Sequence, residues 1–568
     1  MSLFNSLFRK KNVADAIATA AQEDIHGGGL EKDLRLWDLT ALGIAAIIGA
    51  GIFSTIGSAS YNGGPGVVFL FLFTAVACGF AAFAYAEFAS MLPVSGSAYT
   101  YSYVAFGELV AWIIGWALIM EYAVGNITVA VSWSGYFTGL LDSMGVHVPA
   151  WAHIDYMSAR NGFQDAEATL AAGTLPEALT QAQQEARAAW LSAPNWGGLR
   201  IILDIPAVIM SVLITGLVYI GIKESKTAGN MMVILKMAVV ALVIIVGIFY
   251  VDTANWHPFV PNGFGGVMAG VSSVFFAYIG FDALSTTAEE CKNPQRDLPR
   301  AMVYSIIICT VLYILIALVL TGMVNYQELN VNDPLAFVFS KLDLKWFSGV
   351  IAVSAVVAMA GVFLVFQLGQ PRIWMTMSRD GLLPPRFSHI HPRFKTPDFA
   401  TIITAVFVIV PMLIIPSGMV LDLCSMGTLF AFVLVSGGVL KLQVTPDAPR
   451  GKFRTPYING QWIFPLLLAA TTAFVWRQSP EMLTDIFSFK GGFLAQLPML
   501  IFVVTCLVMA VLGFQYRLSL IPMLGMIFCL YMMAQIPGHS WLAFFIWLLA
   551  GLVIYFGYGY RNSKLAKG

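Results

Sequence analysis

Two stretches of this chain place glycine where a backbone must be satisfied without water: Ile48-Gly49-Ala50-Gly51-Ile52-Phe53, and Phe276-Ala277-Tyr278-Ile279-Gly280-Phe281-Asp282. Each lies inside a long apolar run, and a helix broken inside a bilayer leaves peptide groups unbonded unless they line a protected cavity or hold a ligand. At Gly49-Ala50-Gly51 the break frees amide N–H groups at the start of the following half-helix, a pole suited to a carboxylate. Around Phe276, Ala277 and Ile279 it frees carbonyls, which suit an ammonium group, while Gly280 permits the bend. Together the two sites read the head group shared by all α-amino acids. The competing reading, close packing of helices on small residues, accounts for Gly49 and Gly51 taken alone. Two matched interruptions opening successive five-span blocks favour the ligand site.

Ionisable residues within apolar runs are the next candidates, because each costs about 2.5 to 3.5 kcal/mol at the centre of a spanning helix and so calls for a reason. Lys236 lies two turns into the fifth run. Either it snorkels back to the surface, or it points inward against the first and eighth runs, where its positive charge replaces a bound sodium ion and its proton can be lost during a cycle. Glu121, about 20 Å of helix rise into the third run, shares a face with Gly125 and should look into the bundle. It can carry a proton, balance a cationic substrate or make a structural bond to a broken helix. Glu87 is expected to tie down an inner loop. Glu289 and Glu290, in the charged segment with Lys292, Arg296, Asp297 and Arg300, form either a latch on the inner gate or a solvated face. Phe275, Phe276 and Phe366 either gate and floor a pocket or simply pack.

These residues need a membrane scaffold. Of 568 residues, 58% are hydrophobic and 11% charged, and the mean hydropathy is +0.78, which leaves too little polar surface for a soluble globule. Fourteen apolar runs of about spanning length recur: 36–57, 67–92, 109–140, 201–222, 228–251, 267–287, 302–324, 347–368, 400–415, 420–440, 462–476, 494–514, 518–536 and 541–560. With the N-terminus in the cytoplasm, 23 of the 31 Lys and Arg residues fall on the inner side and seven outside, leaving Lys236 within a span. The reverse orientation inverts a strong positive-inside bias. No uninterrupted apolar core precedes Leu34, so no cleavable signal is expected and the first run directs insertion.

One outer insertion, 142–199, contains a stretch rich in helix formers, Leu175 to Leu191, which predicts a short amphipathic helix over the outer mouth. A formal net charge of zero argues against a nucleic-acid surface. The six scattered cysteines form no disulfide framework or metal spacing, and His389 and His391 have no third ligand nearby, so no metal or other cofactor is expected. No phosphate-binding, zinc-protease or hydrolase motif occurs, which excludes a built-in ATPase and argues against an enzyme.

The strings IIGAGIF, AYAEFASMLPVSGSAYTYSYVAFGE, GWALIMEYA, FFAYIGFDALSTTAEECKNPQRDLPRA, MSRDGLLP, CSMGTLFAFVLVSGGVL and IYFGYGY resemble the cationic amino acid transporter family of the amino acid, polyamine and organocation superfamily. The likeness runs from about Gly28 to Lys564, outer insertion excepted. It implies an all-α polytopic membrane protein: a core of two inverted five-helix repeats with discontinuous first and sixth helices, plus four further helices. The corresponding divisions are a cytoplasmic segment 1–33, a first repeat 34–251, a second repeat 252–441, additional helices 442–560 and a cytoplasmic end 561–568. The resemblance also implies amino acid transport by alternating access, with the substrate carboxylate on Ile48, Gly49, Ala50 and Gly51, its amino group on Phe276, Ala277 and Ile279, Lys236 as the family's fifth-span lysine and Glu121 as its third-span acid. Two departures are the long outer insertion and Phe366, whose ring sits where the eighth run approaches the side-chain pocket and disfavours a large cationic substrate. The expected activity is proton-coupled, sodium-independent symport across a cell membrane, plasma or bacterial inner, with both termini cytoplasmic. Its partners are then an amino acid, protons and lipids. Exchange, or amino acid sensing by a transporter-shaped protein, are the alternatives.

Overall fold

The computed structural model describes residues 7–12, 34–49, 51–92, 96–173, 175–176, 179–220, 225–331, 333–394, 396–446, 448, 450–478 and 493–567. The chain is almost entirely helical, as a bilayer requires of any backbone that is not a closed barrel. Every apolar run of the sequence carries a helix. In chain order these are α1 (Leu36–Ile47), α2 (Ile56–Gly63), α3 (Val67–Met91), α4 (Ser97–Ala105) and α5 (Glu108–Ser143). The outer insertion holds α6 (Tyr156–Ala171) and α7 (Gln181–Ser192). There follow α8 (Ile205–Ile220), α9 (Ser225–Gly247), α10 (Gly263–Ala269), α11 (Val271–Phe276), α12 (Pro294–Met323), α13 (Pro334–Lys341), α14 (Lys345–Arg379), α15 (Asp398–Met412) and α16 (Ser417–Val444). Next come α17 (Gly460–Gln478), α18 (Phe493–Tyr516), α19 (Leu520–Ala534) and α20 (Gly538–Ile554), followed by two short helices, α21 (Tyr560–Asn562) and α22 (Lys564–Lys567). Among the described residues eight helices are long and apolar enough to cross a membrane, or nine if the bent pair α10 and α11 counts as one, and four apolar helices of 10 to 17 residues are shorter.

The central helices are α5 and α14, which pack along each other, with α16 on the other side of α5 and α12 against α3 and α1. A chain of amides crosses the α5–α14 contact inside the apolar interior: Asn126 Nδ2 donates to Gln367 Oε1 (2.9 Å), and Gln367 Nε2 donates to Thr215 Oγ1 of α8 (2.9 Å). Such bonds fix register where burial alone is uniform on all faces. The helices α17 and α18 pair with each other and pack on α19, which joins them to α16.

The predicted amphipathic helix is α7, which begins six residues after its expected start because Thr180 and Gln183 form a capping box. A second helix, α6, was not expected; Asp155 caps it by accepting from Ser158 N (2.8 Å). The two pack through Ala159, Ala189, Ala193 and Ile202, followed by a two-stranded hairpin, β1 (Asn195–Trp196) with β2 (Leu199–Arg200). The insertion is tied to the bundle by Tyr156 N donating to Leu413 O (3.1 Å).

At the opposite face the two described ends of the chain meet. The buried Glu108 carboxylate, at the first residue of α5, accepts from the hydroxyls of Tyr103 (3.0 Å), Tyr555 (2.9 Å) and Ser563, with the Arg9 guanidinium 3.8 Å away. Asp380, just after α14, accepts from Lys11 Nζ (2.8 Å) and Tyr99 OH (2.8 Å), and its carbonyl accepts from Lys564 N (3.0 Å). Glu87 accepts from Thr455 N (3.0 Å), so the loop it ties down is the one before α17 and not the adjoining segment 93–97 that the sequence suggested. Replacing Glu108 with Ala strands three hydroxyls in a buried setting and should cost about 3 kcal/mol, read as a lowered unfolding temperature of the detergent-purified protein; an unchanged temperature contradicts the clasp.

Candidate functional site

The first run is broken where the glycines fall. Helix α1 stops at Ile47; Ile48 still donates to Ile44 O (2.9 Å), but its own φ of −77° and ψ of 100° are extended. The Gly49 carbonyl then accepts from both Ile52 N (3.1 Å) and Phe53 N (3.2 Å), and a widened π turn over Gly51–Thr55 leads into α2. The Gly49 N–H donates to no backbone carbonyl among the described residues. Ala50 lies outside the described residues. In the sixth run α10 meets the segment Val271–Ala288 at 43°, α11 within that segment ends at Phe276, and Gly280 takes φ +123° before a 3-10 helix over Phe281–Glu290. A side chain at Gly280 is strained by that φ whatever the space around it.

The two breaks touch. A Cβ on Gly51 would stand 2.3 Å from the Ala277 Cα, and one on Gly280 would stand 2.8 Å from the Ala46 carbonyl carbon and oxygen. A Cβ on Gly49 would stand 2.5 Å from Val362 Cγ2 on α14. The glycines therefore serve both readings offered by the sequence: they let the helices break and they let the broken segments cross with backbones in contact.

The carbonyls freed by the breaks are mostly claimed. Lys236, 1% exposed, turns inward from α9 and donates from Nζ to Ala45 O (2.6 Å) and Ile48 O (2.9 Å). It does not snorkel, because the C-terminal end of α1 offers a row of bare acceptors and the negative end of the helix dipole to a cation. Tyr313 of α12 bridges the breaks, its hydroxyl within reach of Ile47 O (3.0 Å) and Ala277 O (2.8 Å). Tyr136 of α5 donates to Phe53 O. The expectation that Phe276 and Ala277 present unpaired carbonyls is thus corrected. Phe276 O accepts from Ile279 N (3.3 Å) in a tight turn, and Ala277 O accepts from Tyr313. Of these three carbonyls, that of Ile279 receives no hydrogen bond, from backbone or side chain, among the described residues.

Glu121 is 1% exposed and lies against α16, where Cys424 Sγ donates to its carbonyl (3.6 Å) and Gly427 packs on its Cβ. Gly125, on the same face, packs against the Phe366 ring, which a Cβ at this position would meet at 3.3 Å. Phe366 is buried edge-on to Tyr122 with centroids 5.6 Å apart, while Val362, one turn earlier on α14, is the residue against Gly49. Phe275 is buried edge-on to Phe432 of α16 (5.9 Å), and Phe276 is also buried. Backbone at the end of the 3-10 helix pairs with the approach to α1, since Lys292 N donates to Leu34 O (3.0 Å). The side chains of Glu289 and Glu290, in this latch region, lie outside the described residues. Tyr313 and Val362 were missed by the sequence reading: a tyrosine and a valine within apolar runs give no signal until the partner helices are in place.

A helical bundle of this apolarity, with two broken helices crossing at a lysine-capped centre, is the form of an integral membrane permease. The chain belongs to the amino acid permease family, which it matches over residues 34–514, followed by a match to the C-terminus of AA_permease over residues 518–563. It is 37% identical over 562 residues to the branched-chain amino acid permease BcaP of Bacillus subtilis, covering 99% of each chain. It is 34% identical over 564 residues to the methylthioribose transporter of the same organism, covering 99% of this chain and 100% of that one. The vacuolar cationic amino acid transporter 2 of Arabidopsis thaliana is 35% identical over 448 residues, 78% of this chain and 64% of that protein. The protein is therefore an amino acid transporter of the membrane and not an enzyme.

Gly280→Ala combines an unfavourable φ with a backbone clash, so it should prevent folding into a monodisperse species. Tyr313→Phe keeps the ring and removes the single proton its hydroxyl shares between the Ile47 and Ala277 carbonyls, with an expected cost of about 1 to 3 kcal/mol in thermal unfolding. An unaltered Gly280→Ala protein overturns the crossing of the two breaks.

Proposed function

We propose that the protein moves amino acids by alternating access as a proton-coupled, sodium-independent symporter. The reading takes the chain as fourteen spans, two inverted five-helix repeats and four additional helices, in a cell membrane with both termini cytoplasmic. The observation that carries it is the Lys236 ammonium on the Ala45 and Ile48 carbonyls. A fixed cation at the end of the first half-helix supplies the charge that a sodium ion otherwise provides at such a break, and it can gain or lose a proton, which sodium cannot.

The substrate carboxylate is then held by amides of the first break, at Gly49, Ala50 and Gly51, and not by Ile48, whose N–H is already given to Ile44 O. The amino group is held at the sixth break on the Ile279 carbonyl, with Phe276 and Ala277 shaping the turn. Tyr313 spans both segments and so communicates the position of one to the other. Glu121 is the second proton-carrying group. Phe275, Glu289 and Glu290 belong to the gate toward the cytoplasm.

For substrate class, the buried Phe366 ring on Gly125 walls the α14 side of the site with carbon, and a full-length relative is a branched-chain amino acid permease. Both favour a neutral aliphatic amino acid over arginine or lysine. The similarity to a methylthioribose transporter supports a second reading, in which an uncharged thiosugar is carried.

Two measurements test this. In proteoliposomes, uptake of leucine, isoleucine or valine should rise with an inward proton gradient and ignore sodium, and Lys236→Ala should abolish the gradient-driven part; sodium-driven uptake contradicts the ion assignment. In a thermal-shift screen, aliphatic amino acids should raise the melting temperature with concentration while arginine does not, and stabilisation by methylthioribose alone moves the assignment to the second reading.

A further inference from the structure

A group of buried polar atoms lies apart from the Lys236 cap, on the side of the breaks nearer the chain ends. Glu121 Oε2, Asp282 Oδ1 and the hydroxyls of Tyr85 and Tyr122 have no hydrogen-bond partner among the described residues. All four side chains are at most 2% exposed. They come from three elements, α3, α5 and the 3-10 helix that follows the sixth break. The two carboxylates are within electrostatic reach of each other, and each is within reach of both tyrosine hydroxyls. The wall around them is apolar: Phe281 and Phe432 stand edge-on to or tilted against the Tyr85 ring and each other, at 5.0 to 6.0 Å between centroids. The remaining titratable groups facing this cluster are Cys78, Tyr101, Cys424 and Arg372.

Two neighbouring carboxylates in a low-dielectric setting do not both stay ionised, since like charges at short range disfavour the second ionisation. Four buried polar atoms without a partner in an apolar interior are each costly, and a bridging proton or buried water relieves several at once. The tyrosine rings also point the way out. Tyr101 stacks edge-on to Tyr85 (6.2 Å), and on its far side Ser285 Oγ donates to Ser97 Oγ (2.9 Å) at the entry to α4, toward the face where the chain ends meet.

We propose that Glu121 and Asp282 share one proton in a hydrated chamber completed by the Tyr85 and Tyr122 hydroxyls, and that this pair is the holding site for the transported proton between the substrate site and the chain-end face. The pair takes one proton from water onto Glu121 Oε2 or Asp282 Oδ1 and returns one to water, with no other bond made or broken. Asp282 thereby joins Glu121 as a proton-binding residue, while Tyr85 and Tyr122 position the water. The proposal rests on the proton-coupled reading above, but its test separates the two.

Infrared difference spectra of the purified full-length protein across a pH titration should show one protonated-carboxyl band, lost in Glu121→Gln and lost equally in Asp282→Asn. In proteoliposomes both substitutions should reduce pH-gradient-driven accumulation to the passive level. A band that survives Asp282→Asn overturns the shared proton while leaving coupling through Lys236 intact, and wild-type accumulation that ignores the proton gradient overturns coupling itself. If Asp282→Asn does not fold, Tyr122→Phe serves in its place: the band should shift with the lost hydrogen bond, and an unshifted band overturns the chamber.

Discussion

The ammonium of Lys236 on the carbonyls of Ala45 and Ile48 is the contact on which the architecture turns. A helix that stops halfway across a bilayer exposes the acceptors of its last turn where no water can reach them. A cation carried by a neighbouring helix satisfies these acceptors and lies along the helix dipole, so the break can exist without a bound metal ion. Once the end of α1 is fixed in this way, the chain beyond it is free to turn at Gly49 and Gly51 and to meet the sixth break. Tyr313 then joins the two by its hydroxyl, and the close approach at Gly51 and Gly280 leaves no room for side chains between them.

Around this crossing the bundle divides its labour. Helices α5 and α14 form a rigid pair held by the Asn126, Gln367 and Thr215 amide chain, while the broken segments carry the exposed peptide dipoles. Polar bonds inside the apolar region are few and each sits at a contact between elements, which is where packing of uniformly apolar faces cannot set register. The carboxylates of Glu108 and Asp380 do the same at the chain-end face, gathering both described ends of the chain onto the start of α5 and the end of α14.

The apolar runs, the two breaks and the inward lysine were legible in the sequence, because each follows from a local rule: hydrophobic length, glycine inside a span, charge where charge is costly. What was not legible depends on partners far away in the chain. The Phe276 and Ala277 carbonyls looked free because nothing local marks Tyr313, 36 residues beyond Ala277, as the donor that takes one of them. Val362 and Phe366 lie one turn apart on α14, and only the packed structure assigns Gly49 to the first and Gly125 to the second. Helix α6 was passed over because its sequence, with Arg160, Asn161, Gly162 and Asp165, is polar and weakly patterned; the capping Asp155 and the alanine seam with α7 stabilise it.

The account stands or falls on where a zwitterion sits. An experimentally determined map of the protein with a saturating aliphatic amino acid should place the substrate carboxylate within hydrogen-bonding distance of the Gly49 to Gly51 amides and its nitrogen on the Ile279 carbonyl, with Lys236 still on Ala45 and Ile48. Density for the amino acid away from both breaks, or a lysine displaced to the membrane surface, contradicts it.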